Sequence, residues 1–175
     1  KRVLPILSQR KNVVYGRREM DCQLIGTFPY YPDFTQSKIV AGQFFNEAEE
    51  NGEAASCVIA LKLAETLFAG HNPIMEKVVV RGFESAQIFQ VKGILQERTT
   101  NVYIPLSTFK SLYGIKNIDR SVESLSVERV ELNEIRVEFG SVKEVIPALP
   151  LLRKCLNKSR KDKSDYEIHT PLLQK

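Results

Sequence analysis

Residues 56–70, SCVIALKLAETLFAG, spell out a strand, then a helix, then a stop. Ser56 to Ala60 form an apolar run of strand length. Leu61 to Ala69 then place Leu61, Ala64, Leu67 and Phe68 on one helical face. Gly70 supplies a residue that tolerates a left-handed cap, and Pro73 prevents the helix from resuming.

Working outward, Val78, Val79 and Val80 make a β-branched run closed by Gly82. Phe89, Val91 and Leu95 alternate with Gln90 and Lys92, so these two segments read as paired strands. Val102 to Ile104 is a further short strand, and Pro105 leads into a compact helix carrying Phe109 and Leu112, with Ser107 as N-cap candidate and Gly114 as terminator. Leu125 and Val127 alternate with serines. Ile135, Val137 and Phe139 alternate with Arg136 and Glu138, the pattern of a strand with one buried and one wet face. Between Ser141 and Lys158, Val145, Leu149, Leu152 and Leu156 share one helical face. Pro147 and Pro150 imply that this helix starts near Pro147 or is kinked there. Tyr166, Ile168 and Thr170 are expected to close the fold as a last strand. Strands and helices are mixed without strict alternation, which defines an α+β class.

A chain of 175 residues, 43% hydrophobic and 26% charged, can bury a core comprising roughly 70% of its unfolded surface. No apolar run approaches the ~20 residues that span a bilayer, and the start at Lys1 without a signal segment suggests a piece of something longer. The net charge of +4 is mild. Basic residues gather towards the two ends, at Lys1, Arg2, Arg10, Lys11, Arg17 and Arg18, and again at Arg153, Lys154, Lys158, Arg160, Lys161 and Lys163. They read as solvated surface, with a membrane surface and then nucleic acid as lesser alternatives. Cys22, Cys57 and Cys155 read as free buried thiols; one bridge plus one free thiol is the alternative in an oxidising compartment.

The chemistry-bearing motifs are missing. There is neither a G-x-G-x-x-G nor a Walker-type loop, so no ATPase site is expected. His71 and His169 lie far apart with no H-E-x-x-H, and G-x-S-x-G is absent, so no metal, no cofactor and no catalytic residues are expected. Glu47, Glu49, Glu50 and Glu53 form an acidic cluster without the calcium-loop pattern and read as a solvated loop or helix start. One aromatic group stands apart: Phe28, Tyr30, Tyr31 and Phe34, interrupted by Pro29 and Pro32. A helix or central strand is not expected there. The rings either cover the edge of the core from an extended loop or form a contact surface for a partner, since tyrosine is apolar in body and polar at its tip.

Several phrases, taken in order, resemble the periplasmic core domain of MacB-type ABC-transporter permeases (the MacB/FtsX/LolC type). After Gly26-Thr27 and the aromatic segment, Ile39 to Glu47, IVAGQFFNE, resembles that family's L-x-x-G-R-x-F-T-x-x-D. Val58 to Gly70 is similar to V-L-G-x-x-x-A-x-x-L-F-G and runs into Asn72-Pro73-Ile74. Phe89 to Leu95, FQVKGIL, resembles F-x-V-I-G-V-L, and Val102 to Thr108, VYIPLST, resembles V-Y-V-P-L-S-T. Together these cover about half the chain. Gln43 stands where the family usually has Arg, Ala60 where Gly is common, and Met75 where the N-P-I-G turn has Gly. The last change implies a locally different backbone, because Met enters the left-handed region at a cost that Gly avoids.

The resemblance implies a split β-α-β layer built from both chain ends, 1–25 plus 115–175, with a smaller mixed α/β lobe, 26–114, inserted between them. It implies an extracytoplasmic (periplasmic) domain of an inner-membrane permease that works with a cytoplasmic ABC ATPase and a second permease copy, and contacts a periplasmic adaptor or lipoprotein, without nucleic acid and without catalysis of its own. The expected work is efflux by mechanotransmission. Lipoprotein release, activation of a cell-wall hydrolase, or a free-standing binding module that uses Phe28 to Phe34 are the alternatives.

Overall fold

The computed structural model describes residues 2–82, 85–114, 116–121, 124–129, 132–159 and 166–170. The chain forms two compact units, Arg2–Val137 and Glu138–Lys175.

In the first unit, β1 (Arg2–Tyr15) and β2 (Arg18–Thr27) form an antiparallel hairpin turned by Gly16 and Arg17, with Gly16 at φ 58°. A two-residue hairpin loop needs such a positive φ, which Gly adopts without strain. Pro5 sits beyond the last paired residue, Leu7 opposite Gly26, where a missing N–H costs no β2 hydrogen bond. Then follow α1 (Tyr31–Thr35), β3 (Ile39–Gly42), α2 (Glu47–Asn51), β4 (Ser56–Ala60), α3 (Leu61–Phe68), β5 (Lys77–Arg81), β6 (Ala86–Leu95), β7 (Asn101–Pro105) and α4 (Leu106–Tyr113).

β2 pairs with β7, β7 with β4, β4 with β6, β6 with β5, and β5 returns to β1. The pairing therefore closes a ring of six strands, while β3 extends from β6 and β10 (Glu134–Glu138) from β1. β8 (Lys116–Ser121) and β9 (Ser124–Arg129) form a separate two-stranded sheet, in which Leu125 and Val127, alternating with serines, lie on a strand.

Successive residues on a strand point to opposite faces, and here both faces are covered. Leu24, Ile59, Val102 and Ile104 join a core with Leu63, Leu67 and Phe68 of α3 and Phe109 of α4. The residues between them, Ile25, Val58 and Tyr103, join a second core with Leu4, Ile6, Phe44 and Phe45. That is why 56–60 reads as an unbroken apolar run: every residue of β4 is buried.

The strand–helix–stop reading holds, although the left-handed position begins one residue early. Ala69 (φ 49°) caps α3, and Gly70 (φ 90°) follows. Met75 is also left-handed, at φ 71°, so the turn keeps the backbone a glycine would have taken, and the expected local difference is overturned. Its N–H donates to the Val91 carbonyl at 2.8 Å, a tertiary bond that holds it there. Ala60 replaces a family glycine without strain, because its backbone is extended at φ −68°. β10 departs from the one-buried-face expectation. Ile135 is 46% exposed, since the strand lies at the sheet edge with β1 as its neighbour on one side only.

In the second unit, α5 (Val142–Ser159) runs through both Pro147 and Pro150, so it starts neither at nor near Pro147. Val145, Leu149, Leu152 and Leu156 are its partly buried stripe, as the spacing implied. The strand expected at Tyr166 to Thr170 does not form; that segment is irregular, with the Tyr166 hydroxyl donating to Asn157 Oδ1 at 3.0 Å. Arg160, Lys161 and Lys163 lie outside the described residues.

Gly42 and Gly70 separate two glycine roles. Both have positive φ, yet a Cβ at Gly42 would lie 2.1 Å from the Lys92 carbonyl oxygen, whereas at Gly70 nothing lies within 4 Å. Gly70→Ala should cost about 1–2 kcal/mol of backbone strain, and Gly42→Ala about 1–3 kcal/mol more for the overlap. Urea denaturation of the two variants measures the difference; equal costs would contradict the close approach.

Candidate functional site

The aromatic group does not form an extended loop. Tyr31 opens the one-turn helix α1 with Pro32 in its first turn, where a missing N–H breaks no helical hydrogen bond. The Tyr31 N–H donates to Phe28 O and the Phe34 N–H to Tyr30 O, both at 3.0 Å, and Gln36 ends the turn left-handed at φ 57°. The expectation that prolines bar a helix fails because a single turn needs few amide donors.

The structure brings all four rings together against the second core. Tyr31 is 5% exposed, while Phe28, Tyr30 and Phe34 are half-buried. The Tyr31 ring lies 4.9 Å from that of Tyr103 and 6.1 Å from Phe44, centroid to centroid, and Phe28 stacks on Tyr30 at 5.6 Å. A polar rim surrounds this aromatic centre. The Tyr103 hydroxyl donates to Glu97 and accepts from Asn101 Nδ2 at 3.0 Å. The Ser37 hydroxyl donates to the other Glu97 oxygen at 3.0 Å. Burial, with the nearby Tyr31 and Glu97, pushes the Tyr103 hydroxyl far above its ordinary value, and burial also raises Tyr31 and Tyr30. Hydrogen bonding to Glu134 holds the Arg136 guanidinium firmly charged beside them. All these phenols stay neutral at physiological pH and act as hydrogen-bonding core residues. Sequence reading missed Glu97, Tyr103 and Arg136: Ser37 meets Glu97 only through folding, whereas Tyr103 and Arg136 bond residues close to them in the chain.

The acidic cluster is structural in part. Asn46 caps α2, accepting from Glu49 N–H at 3.0 Å while Glu49 Oε2 accepts from Asn46 N–H at 2.9 Å, a capping box. Glu49 also pairs with Lys92. Glu50, 9% exposed, reaches across to α4, where Oε1 accepts the Ser107 N–H at 3.0 Å and the Ser107 hydroxyl donates to the Glu50 carbonyl. The helix-start reading of the cluster holds, since α2 begins at Glu47, but Glu49 and Glu50 are not simply solvated; Ser107 is not the N-cap of α4, because Pro105 holds that position, and the end is capped by Glu50.

The remaining candidates do not converge. His71 is exposed in a turn with Nδ1 2.9 Å from Phe68 O, and His169 lies 3.2 Å from Glu167, both largely exposed. Among the described residues no cluster of His, Cys, Asp and Glu could hold a metal, and no helix is long and apolar enough to cross a membrane. Cys22 and Cys57 are buried free thiols, but Cys155 is exposed, counter to expectation. Burial, with Asp21 adding, pushes the Cys22 thiol up to about 12. Of the N-terminal basic residues, Arg10, Arg17 and Arg18 are exposed, while Lys11 lies 4.6 Å over the Tyr113 ring and burial holds its ammonium below the usual range.

Residues 1–147 match the family described as MacB-like periplasmic core domain. The chain belongs to that family. This MacB-like domain is 30% identical over 151 residues to a macrolide export ATP-binding/permease protein, MacB, of Bdellovibrio bacteriovorus, covering 83% of this chain and 23% of that protein. It is 24% identical over 179 residues to a pyoverdine export ATP-binding/permease protein, PvdT, of Pseudomonas savastanoi pv. phaseolicola, covering 96% of the chain and 24% of the relative. The chain thus spans about a quarter of the length of these relatives. Its fold is similar to the extracellular domain of the noncanonic ABC-type transporter YknZ from Gram-positive bacteria, with TM-score 0.78 and 20% identity, covering 97% of this chain and 81% of that one. It also resembles the periplasmic region of MacB from Actinobacillus actinomycetemcomitans, with TM-score 0.65 and 20% identity, covering 89% and 67%. The chain is accordingly a member of a family of extracytoplasmic, periplasmic core domains.

Glu50→Ala should destabilise the MacB-like domain by about 1–3 kcal/mol, because it removes the carboxylate that caps α4 and leaves the Ser107 N–H without it, while the bond of the Ser107 hydroxyl to the residue 50 carbonyl is retained; chemical denaturation measures this. Burial opposes ionisation of Glu49, but Lys92 and the Asn46 N–H outweigh it and hold the carboxyl below its ordinary 4.5. Its contribution is therefore full above the unfolded value and is lost as pH falls through the lower folded value. Thermal midpoints recorded on acidification should drop less steeply below pH 4.5 in Glu49→Gln than in the wild type.

Proposed function

We propose that this domain transmits conformational change in an ABC exporter: ATP binding and hydrolysis by a cytoplasmic ATPase move transmembrane helices, and these move the domain outside. The single observation that carries the reading is family membership over residues 1–147, in a chain that matches about a quarter of proteins named as ATP-binding/permease exporters. The closed strand ring supports it. A body with apolar residues packed on both faces of its sheet deforms little and so passes on displacement as a unit.

Within this reading the domain lies on the outer side of the inner membrane, acts beside a second permease copy, and does no catalysis itself. The half-buried Phe28, Tyr30 and Phe34, supported by Tyr31, are the proposed contact surface for a periplasmic adaptor or lipoprotein. The lobes 1–25 plus 115–175 and 26–114 are proposed as the parts that respectively follow the helices and meet the partner. Nucleotide shifts an equilibrium between two arrangements of the paired domains, which requires that those arrangements differ in their contacts.

In the intact transporter, replacing the domain by a polar linker should cut export by about tenfold or more, equivalent to a lost coupling of ~1.4 kcal/mol, while ATP hydrolysis persists. Efflux assays in whole cells measure this, and undiminished export would defeat the reading.

A further inference from the structure

The first residues of β1 lie outside the closed ring. Pairing with β2 begins at Leu7 opposite Gly26, so Arg2 to Ile6 overhang β2 and have β10 as their strand neighbour instead. One segment folds back on this overhang. The Tyr30 hydroxyl donates to the Val3 carbonyl at 2.8 Å, and the Arg2 guanidinium lies 5.7 Å from the centroid of the Phe34 ring. Leu4 and Ile6 pack into the same core as Tyr31.

The other end of the segment is tied to different strands. Thr35 and Ser37 share a hydrogen bond at 2.9 Å, Ser37 donates to Glu97 at 3.0 Å, and Glu97 accepts the Tyr103 hydroxyl of β7. The Lys38 carbonyl accepts the Gln96 N–H, just after β6, at 2.7 Å. The ring strands move together because each is held by neighbours on both sides. The overhang has β10 as its strand neighbour, with the Asn133 N–H donating to the Ile6 carbonyl at 3.1 Å, and the Tyr30 hydroxyl adds a second, directional hold on it.

We propose that residues 28–38 are a coupling strap, with Tyr30 and Phe34 as positioning residues that clasp the β1 overhang. Displacement of Arg2 and Val3 is passed through Tyr31 and Ser37 to Glu97 and Tyr103, and so to β6 and β7. This deepens the transporter reading and rests on it.

The test is hydrogen–deuterium exchange on the full-length transporter with its ATPase, with and without Mg–ATP, comparing the wild type with Tyr30→Phe and with Tyr30→Phe/Phe34→Leu. In the wild type, nucleotide should alter exchange at residues 3–7, 28–38 and 97–104 together. In the variants the response should persist at 3–7 and vanish at 28–38 and 97–104, with basal exchange at 31–35 faster by about fivefold, the factor for one ordinary hydrogen bond. Tyr30→Phe keeps the ring and its stacking, so it reads the clasp even where the double variant fails to fold. An undiminished response at 28–38 and 97–104 in Tyr30→Phe overturns the strap while the transporter reading stands. A wild type with no nucleotide response at 3–7 overturns both.

Discussion

The structure depends on β5, Lys77–Arg81, pairing with β1 on one side and β6 on the other. Without that strand the sheet would be an open path with two long edges, and the residues now facing α3 and α4 would be open to water from one side. With it, Val78 and Val80 are sealed completely against Val13 and Phe89. Each such side chain adds roughly 1.5–3 kcal/mol when fully buried, so ring closure contributes directly to what holds the first unit together.

Closure also decides where polar groups can go. Since both sheet faces are apolar, the charged side chains that are buried lie at junctions where helices meet the sheet. Glu50 enters only by capping α4, and Glu49 only with Lys92 and the capping box. Tyr103 is wholly buried because Glu97 and Asn101 satisfy its hydroxyl. A hydroxyl and a carboxylate are thereby used as fasteners of the core.

Much of the ring was legible beforehand. The β-branched run at 78–80, the alternation at 89–95 and the apolar words at 56–60 and 102–104 each report a local environment, and each became a strand of the ring. The hairpin at 2–27 was missed, although Gly16-Arg17 between two β-rich stretches was its signal. The four aromatic residues were legible as a group, but their conformation was not: one helical turn was enough to put Tyr31 inside, and nothing in the local sequence distinguishes that from a loop.

Sequence by itself determined the family, the strand–helix–stop unit, the amphipathic stripe of α5 and the lack of catalytic motifs, because these reside in neighbouring residues and in spacing. Only the tertiary structure decided that Glu50 rather than Ser107 caps α4, that Met75 sits at φ 71°, and that Tyr30 holds Val3. Those outcomes turn on partners up to 57 residues away. A local pattern specifies which face of an element seeks burial, whereas the register of distant strands selects the atoms that meet there.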